Sequence, residues 1–146
     1  MNFLSDNMLT LIVFIPLVGA LTLLTGKNLQ NVKWTALGFS LVTFALSMIM
    51  WVWYDPSKPS HMDFVVNAAW IPEIGARYIL GVDGLSLLLV VLTTFMTPLI
   101  IISQWHVTEN SQKSFLALFL VLETGMLGSM LALDMILFYV FWEVML

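Results

Sequence analysis

Charged positions punctuate the chain so sparsely that the gaps between them define its elements. No charge falls between Asp6 and Lys27, between Lys33 and Asp55, or between Asp83 and Glu109. Each gap is about 20 residues or more, the length a helix needs to cross roughly 30 Å of hydrocarbon. The pattern predicts helices over about 8–25, 34–54 and 85–104. A fourth is expected over about 115–133. The opening stretch carries Asp6 and no Lys or Arg ahead of its apolar run, which favours a retained first helix over a secretory signal.

The last apolar stretch, 115–146, is too long for one span without extreme tilt, and Asp134 interrupts it. A carboxylate costs least in the headgroup region. A tight turn over Leu131–Asp134 between two antiparallel helices is therefore favoured over one long helix with a buried Asp134. The fifth helix, about 135–146, is then too short to span, and the chain is expected to be the N-terminal part of one transmembrane domain in a longer protein. The 55–83 loop opens with Pro56 and Pro59, which discourage helix. Met62–Val66 and Arg77–Val82 are β-prone, with Pro72 and Gly75 between them, so a short β-hairpin is expected there. Trp51, Trp53, Tyr54, Trp70 and Tyr78 flank it as a headgroup belt would. The fold class is thus an all-α polytopic transmembrane bundle, four helices and part of a fifth, with one small hairpin. Lys27, Lys33 and Lys113 in loops one and three, against Lys58 and Arg77 in loop two, place the N-terminus outside.

Composition makes the solvent explicit. Apolar residues are 60% of the chain and charged ones 10%, so the outer surface must face the lipid bilayer. A net charge of −4 without a basic tract excludes ordinary nucleic-acid binding. Without cysteine there is no disulfide, thiolate metal site or Fe–S ligation in this chain. His61 and His106 lie far apart beside polar loop residues, and no metal site is expected from them.

Two acidic residues fall away from helix ends. Glu143 lies about 13 Å past Asp134 along a helix and Glu123 about 16 Å before it, at 1.5 Å per residue. If Asp134 marks a membrane face, both sit near the midplane of adjacent antiparallel helices. An acidic side chain there costs roughly 2.5–3.5 kcal/mol on insertion scales and usually faces a protein or water interior. Burial disfavours its charged form and a basic partner restores it, so such a group can take and release protons. Glu143 is the principal candidate for proton translocation. Glu123 is an auxiliary candidate for which a structural carboxyl is the stronger reading. Tyr139, one turn from Glu143, is a second auxiliary candidate able to hydrogen-bond it. No Lys or Arg falls within the expected spans, so a counter-charge must come from further chain or another subunit. Gly125, Gly128, Ser129 and Ala132 form a small-residue packing seam. Pro98 frees the carbonyl of Thr94, which Thr93, Thr94 and Thr97 could re-satisfy. Asp83 is read as a cap of the third helix.

The run Gly81-Val82-Asp83-Gly84-Leu85-Ser86-Leu87-Leu88, followed by Ala132-Leu133-Asp134-Met135-Ile136-Leu137-Phe138-Tyr139-Val140-Phe141-Trp142-Glu143, resembles the antiporter-like membrane subunits of respiratory complex I. Trp70-Ile71-Pro72 favours the subunit M / mitochondrial subunit 4 branch of NADH:quinone oxidoreductase. The resemblance covers the whole chain, but only about the N-terminal third of the family's length. It implies a larger bundle with one proton channel coupled to quinone reduction elsewhere, and other membrane subunits of the complex as partners. It implies that Glu143 is the fifth-helix glutamate paired with a lysine on the seventh helix, beyond Leu146. Glu123 matches a variable position, and no role is carried over to it. NADH, FMN, Fe–S clusters and quinone are expected in other subunits, with no cofactor in this chain. A bacterial inner membrane is the location the resemblance favours. The alternatives are a homologous subunit of a multisubunit cation/proton antiporter or membrane-bound hydrogenase, and a structural membrane subunit without transport.

Overall fold

The computed structural model describes residues 3–26, 28–55, 57, 62–106 and 111–146. Lys27, Pro56, Lys58, Pro59, His61 and Glu109, named above, lie outside the described residues. Five α-helices run in chain order: α1 Phe3–Thr25, α2 Leu29–Trp53, α3 Gly84–Ser103, α4 Gln112–Leu131 and α5 Met135–Met145. Four of them, all but α5, are long and apolar enough to cross a membrane. Between α2 and α3 the chain forms an antiparallel hairpin, β1 Asp63–Ile71 and β2 Ala76–Val82. A short 3-10 turn over Pro72–Ile74 reverses it, closed by Gly75 at φ +71°, a left-handed conformation that suits a residue without a Cβ.

The element bounds shift from the sequence expectation where local chemistry intervenes. Asn28 caps α2 by accepting from Gln30 N–H at 2.9 Å, so that helix starts earlier and takes in Lys33. Lys113 likewise lies in the first turn of α4. The expectation that no basic residue stands within the spans is corrected at these two ends. Lys33 is buried, and its ammonium donates to the carbonyl of Trp105 at 2.7 Å. Lys113 donates to the carbonyls of Leu24 and Gly26, 2.7 and 2.9 Å away. A cation there satisfies free carbonyls and the negative end of the α1 dipole.

At the opposite end the hairpin ties down the α4–α5 turn. Helix α4 stops at Leu131 because the next residues pair with β2 instead: Ala132 bridges Leu80, and Leu133 N–H donates to the Ile79 carbonyl at 2.9 Å. The chain thus turns between α4 and α5, and no single long helix forms. Tyr78 donates to the Thr10 hydroxyl of α1 at 3.1 Å, and burial raises the Tyr78 phenol above its ordinary value. The outer faces remain apolar; on α3, Leu85, Leu88, Leu92, Phe95 and Leu99 are all exposed, as a lipid or helix neighbour requires.

Helix α4 is the centre of the bundle, packed against α1, α2, α3 and α5. Around it the interior is layered. One apolar cluster at the hairpin end joins Met8, Ile12, Met50, Val90, Leu127 and Phe141. A second, at the other end, joins Leu23, Ala36, Ile101, Leu116 and Leu120. Between them in each helix sequence lie buried polar residues: Ser40, Thr43 and Ser47 on α2, Thr94 and Thr97 on α3, and Glu123 and Thr124 on α4.

Candidate functional site

Glu123 and Glu143 are on neighbouring helices but face apart. Helices α4 and α5 approach closely through glycine. A Cβ on Gly125 would meet the α5 backbone at Met145 N, 3.1 Å away, and one on Gly128 would collide with the Phe141 ring. That face of α4, and the Phe141–Met145 face of α5, therefore define the seam. Glu123 stands two residues from Gly125, and Glu143 two residues from Phe141. At 3.6 residues per turn each is rotated about 200° from the seam. Glu123 turns inward and Glu143 outward.

Glu143 is exposed on the outer face of α5. Tyr139, one turn earlier and 59% exposed, lies beside it. The pairing follows from i, i+4 spacing on a helix. Phe138 and Trp142, their ring centroids 5.8 Å apart, make the adjoining surface apolar.

Glu123 has no solvent exposure. The Thr97 hydroxyl of α3 lies against it. Among the described residues, neither carboxyl oxygen has a donor in hydrogen-bonding geometry. The Thr97 proton goes to the Thr93 carbonyl at 3.1 Å, and the Thr94 hydroxyl reaches the Val90 and Val91 carbonyls at 3.0 and 3.1 Å. These bonds serve carbonyls earlier in the helix than that of Thr94, the one Pro98 deprives of its donor. The Thr94 hydroxyl also meets Ser47 of α2 at 2.7 Å, joining α2 and α3 through the buried layer. Sequence reading assigned the threonines to the proline kink and passed over Ser40, Thr43 and Ser47. Their i, i+3, i+7 spacing on one helical face was the available signal.

The remaining acidic residues hold the hairpin end. Asp83 is the N-cap of α3, its Oδ1 accepting from Ser86 N–H at 2.7 Å. This donor holds the Asp83 carboxyl below its ordinary value. Asp134 caps α5, accepting from Ile136 and Leu137 N–H at 2.9 and 3.1 Å, and also from Arg77 N–H of β2 at 3.3 Å. The Leu137 N–H is the main cause that lowers the Asp134 value. Among the described residues no group of three or more His, Cys, Asp or Glu side chains could hold a metal ion.

A layered bundle with four helices long and apolar enough to cross a membrane defines a multi-pass integral membrane protein. No family model matches the chain. It is 44% identical over 144 residues to NADH-quinone oxidoreductase subunit M of Rhodobacter capsulatus, covering 94% of this chain and 27% of that protein. Against NADH-ubiquinone oxidoreductase chain 4 of Mycosarcoma maydis it is 43% identical, over 93% of this chain and 28% of the relative. NAD(P)H-quinone oxidoreductase chain 4 1 of Nostoc is 38% identical over 99% of this chain and 27% of its own length. The chain belongs to the subunit M / chain 4 family of complex I membrane subunits. It spans just over a quarter of the length of these curated relatives.

Proposed function

We propose that the chain forms part of a proton-translocating membrane subunit of an NADH:quinone oxidoreductase, with Glu143 as a channel carboxylate. The observation that carries this reading is the placement of Glu143: in the last turn of α5, turned away from the α4 seam, with Tyr139 beside it. A carboxylate at membrane depth is tolerated where it faces protein or water rather than lipid. The outward face of α5 is therefore a surface for further helices, and relatives almost four times as long have the chain to supply them. The lysine that the family resemblance implies on a seventh helix is the counter-charge this face awaits.

In this mechanism Glu143 accepts a proton when its basic partner is withdrawn and gives it up when the partner returns. Quinone chemistry at a distance acts through that change of electrostatics. The Tyr139 hydroxyl, one turn away, is spaced to donate to the ionised Glu143. NADH, FMN, Fe–S clusters and quinone belong to other subunits, which are the partners of this one.

In the full-length subunit within its complex, Glu143→Gln should cut proton pumping at least tenfold while assembly is retained. Tyr139→Phe should have a smaller effect in the same direction. Pumping in reconstituted vesicles measures both, and undiminished pumping by Glu143→Gln would remove the channel role.

A further inference from the structure

Glu123 differs from every other acidic group described here in what its neighbours offer. The hydroxyl protons of the buried layer are directed elsewhere. Thr97 bonds Thr93, Thr94 bonds Val90 and Val91, Thr43 bonds the Phe39 carbonyl at 3.0 Å, and Ser40 bonds that of Leu37 at 2.9 Å. Ser47 bonds the Phe44 carbonyl at 2.8 Å besides meeting Thr94. Thr97 lies against Glu123 without hydrogen-bonding geometry to either carboxyl oxygen, and no other donor reaches them among the described residues. A carboxylate needs donors, whereas a carboxylic acid needs an acceptor for one proton. The site is complementary to the acid.

Charged groups on the packed elements are engaged away from it. On α2, Lys33 binds the Trp105 carbonyl, on the far side of the Ala36–Ile101–Leu116 cluster. Lys113 of α4 binds the end of α1. On α3, Asp83 caps its own helix, and on α5 Glu143 faces the opposite way. Asp6, in the first turn of α1, stands at the hairpin end.

We propose that Glu123 and the hydroxyl layer of α2 and α3 form a second proton-binding site, on the side of α4 opposite Glu143. Uptake converts carboxylate and hydronium into carboxylic acid and water, and release reverses it; only O–H bonds form and break. The acid donates to Thr97, and the Ser47 and Thr94 hydroxyls, 2.7 Å apart, join α3 to α2 within the same buried layer. Pro98 leaves the Thr94 carbonyl without its helical donor, which gives an entering water an anchor beside the site. The proposal rests on the reading that this bundle carries protons, but not on Glu143 being the carrier.

Infrared difference spectroscopy of the full-length subunit in its complex, in H2O and D2O, tests it. A protonated-carboxyl band should shift on deuteration, vanish in Glu123→Gln, move in frequency in Thr97→Val, and persist in Glu143→Gln. Absence of the band, or a band that never exchanges with solvent, overturns the proposal. So does loss of the band on adding Na+ at constant pH, which would make the same oxygens a sodium site. Should Glu123→Gln fail to assemble, exchange in the wild type and the Thr97→Val shift still decide. If Glu143→Gln pumps normally while the Glu123 band exchanges, the channel reading fails and this one stands.

Discussion

Glu123 and Glu143 lie at similar distances from the Asp134 turn, on helices in direct contact, yet one is sealed inside the bundle and the other lies open on its surface. Distance from that turn does not separate them. Helical phase does: each stands two positions off a seam residue, and two positions turn a side chain through about 200°. Inside, Glu123 meets hydroxyls and apolar clusters. Outside, Glu143 meets Tyr139 and a face without a further helix among the described residues. The lesson is that a carboxylate's chemistry in a bundle follows the neighbour its face selects.

The comparison breaks most severely at the seam that sets both phases. Gly128→Leu would drive a side chain into the Phe141 ring. Overpacking of this kind costs about 1–3 kcal/mol, and this contact should lie at the upper end. The expected outcome is a lower unfolding temperature of the assembled subunit and altered accessibility at both glutamates. A stability within error of wild type would mean that α4 and α5 do not meet here.

A smaller effect is expected at the hairpin end, which fixes how far both glutamates stand from the turn. Asp83→Ala should destabilise by about 1 kcal/mol through loss of the α3 cap, measured by thermal or denaturant unfolding. Asp83 and Asp134 both titrate below their ordinary range. Their stabilisation is therefore complete above that range and is lost as pH falls through the lowered values. Replacing both by Asn should flatten the fall of stability with pH below the ordinary aspartate range. An unchanged acid limb would exclude them as its source.

The smallest effect sharpens only the inner side. A double-mutant cycle of Ser47→Ala and Thr94→Val should give a coupling of about 0.6 kcal/mol, the usual size between membrane helices. The Glu143→Gln pumping phenotype should be unaffected in that background. The 146 residues contain no cysteine, so Ser47→Cys with Thr94→Cys also offers a clean cross-link of α2 to α3.

Spans were legible because lipid tolerates charge so poorly that gaps between charges measure helix length. The hairpin was legible from β-branched residues around Pro72 and Gly75, though β1 runs to Ile71, beyond Val66, once it pairs with β2. Lys33 was misread as loop because its charge suggested a boundary; the Trp105 carbonyl, 72 residues on, is a partner for its buried ammonium that no local pattern announces. The hydroxyls of α2 were overlooked because Ser and Thr are common in membrane helices and satisfy themselves on the preceding turn. Nothing local distinguishes those that line a shared layer.

By itself the sequence determined that the chain is a membrane bundle and where its helices run, since these depend on one-dimensional runs of charge and apolarity. Tertiary structure alone decided which way each carboxylate faces. Facing is a matter of rotation, and the rotation of α4 and α5 is set by glycines that let two backbones touch.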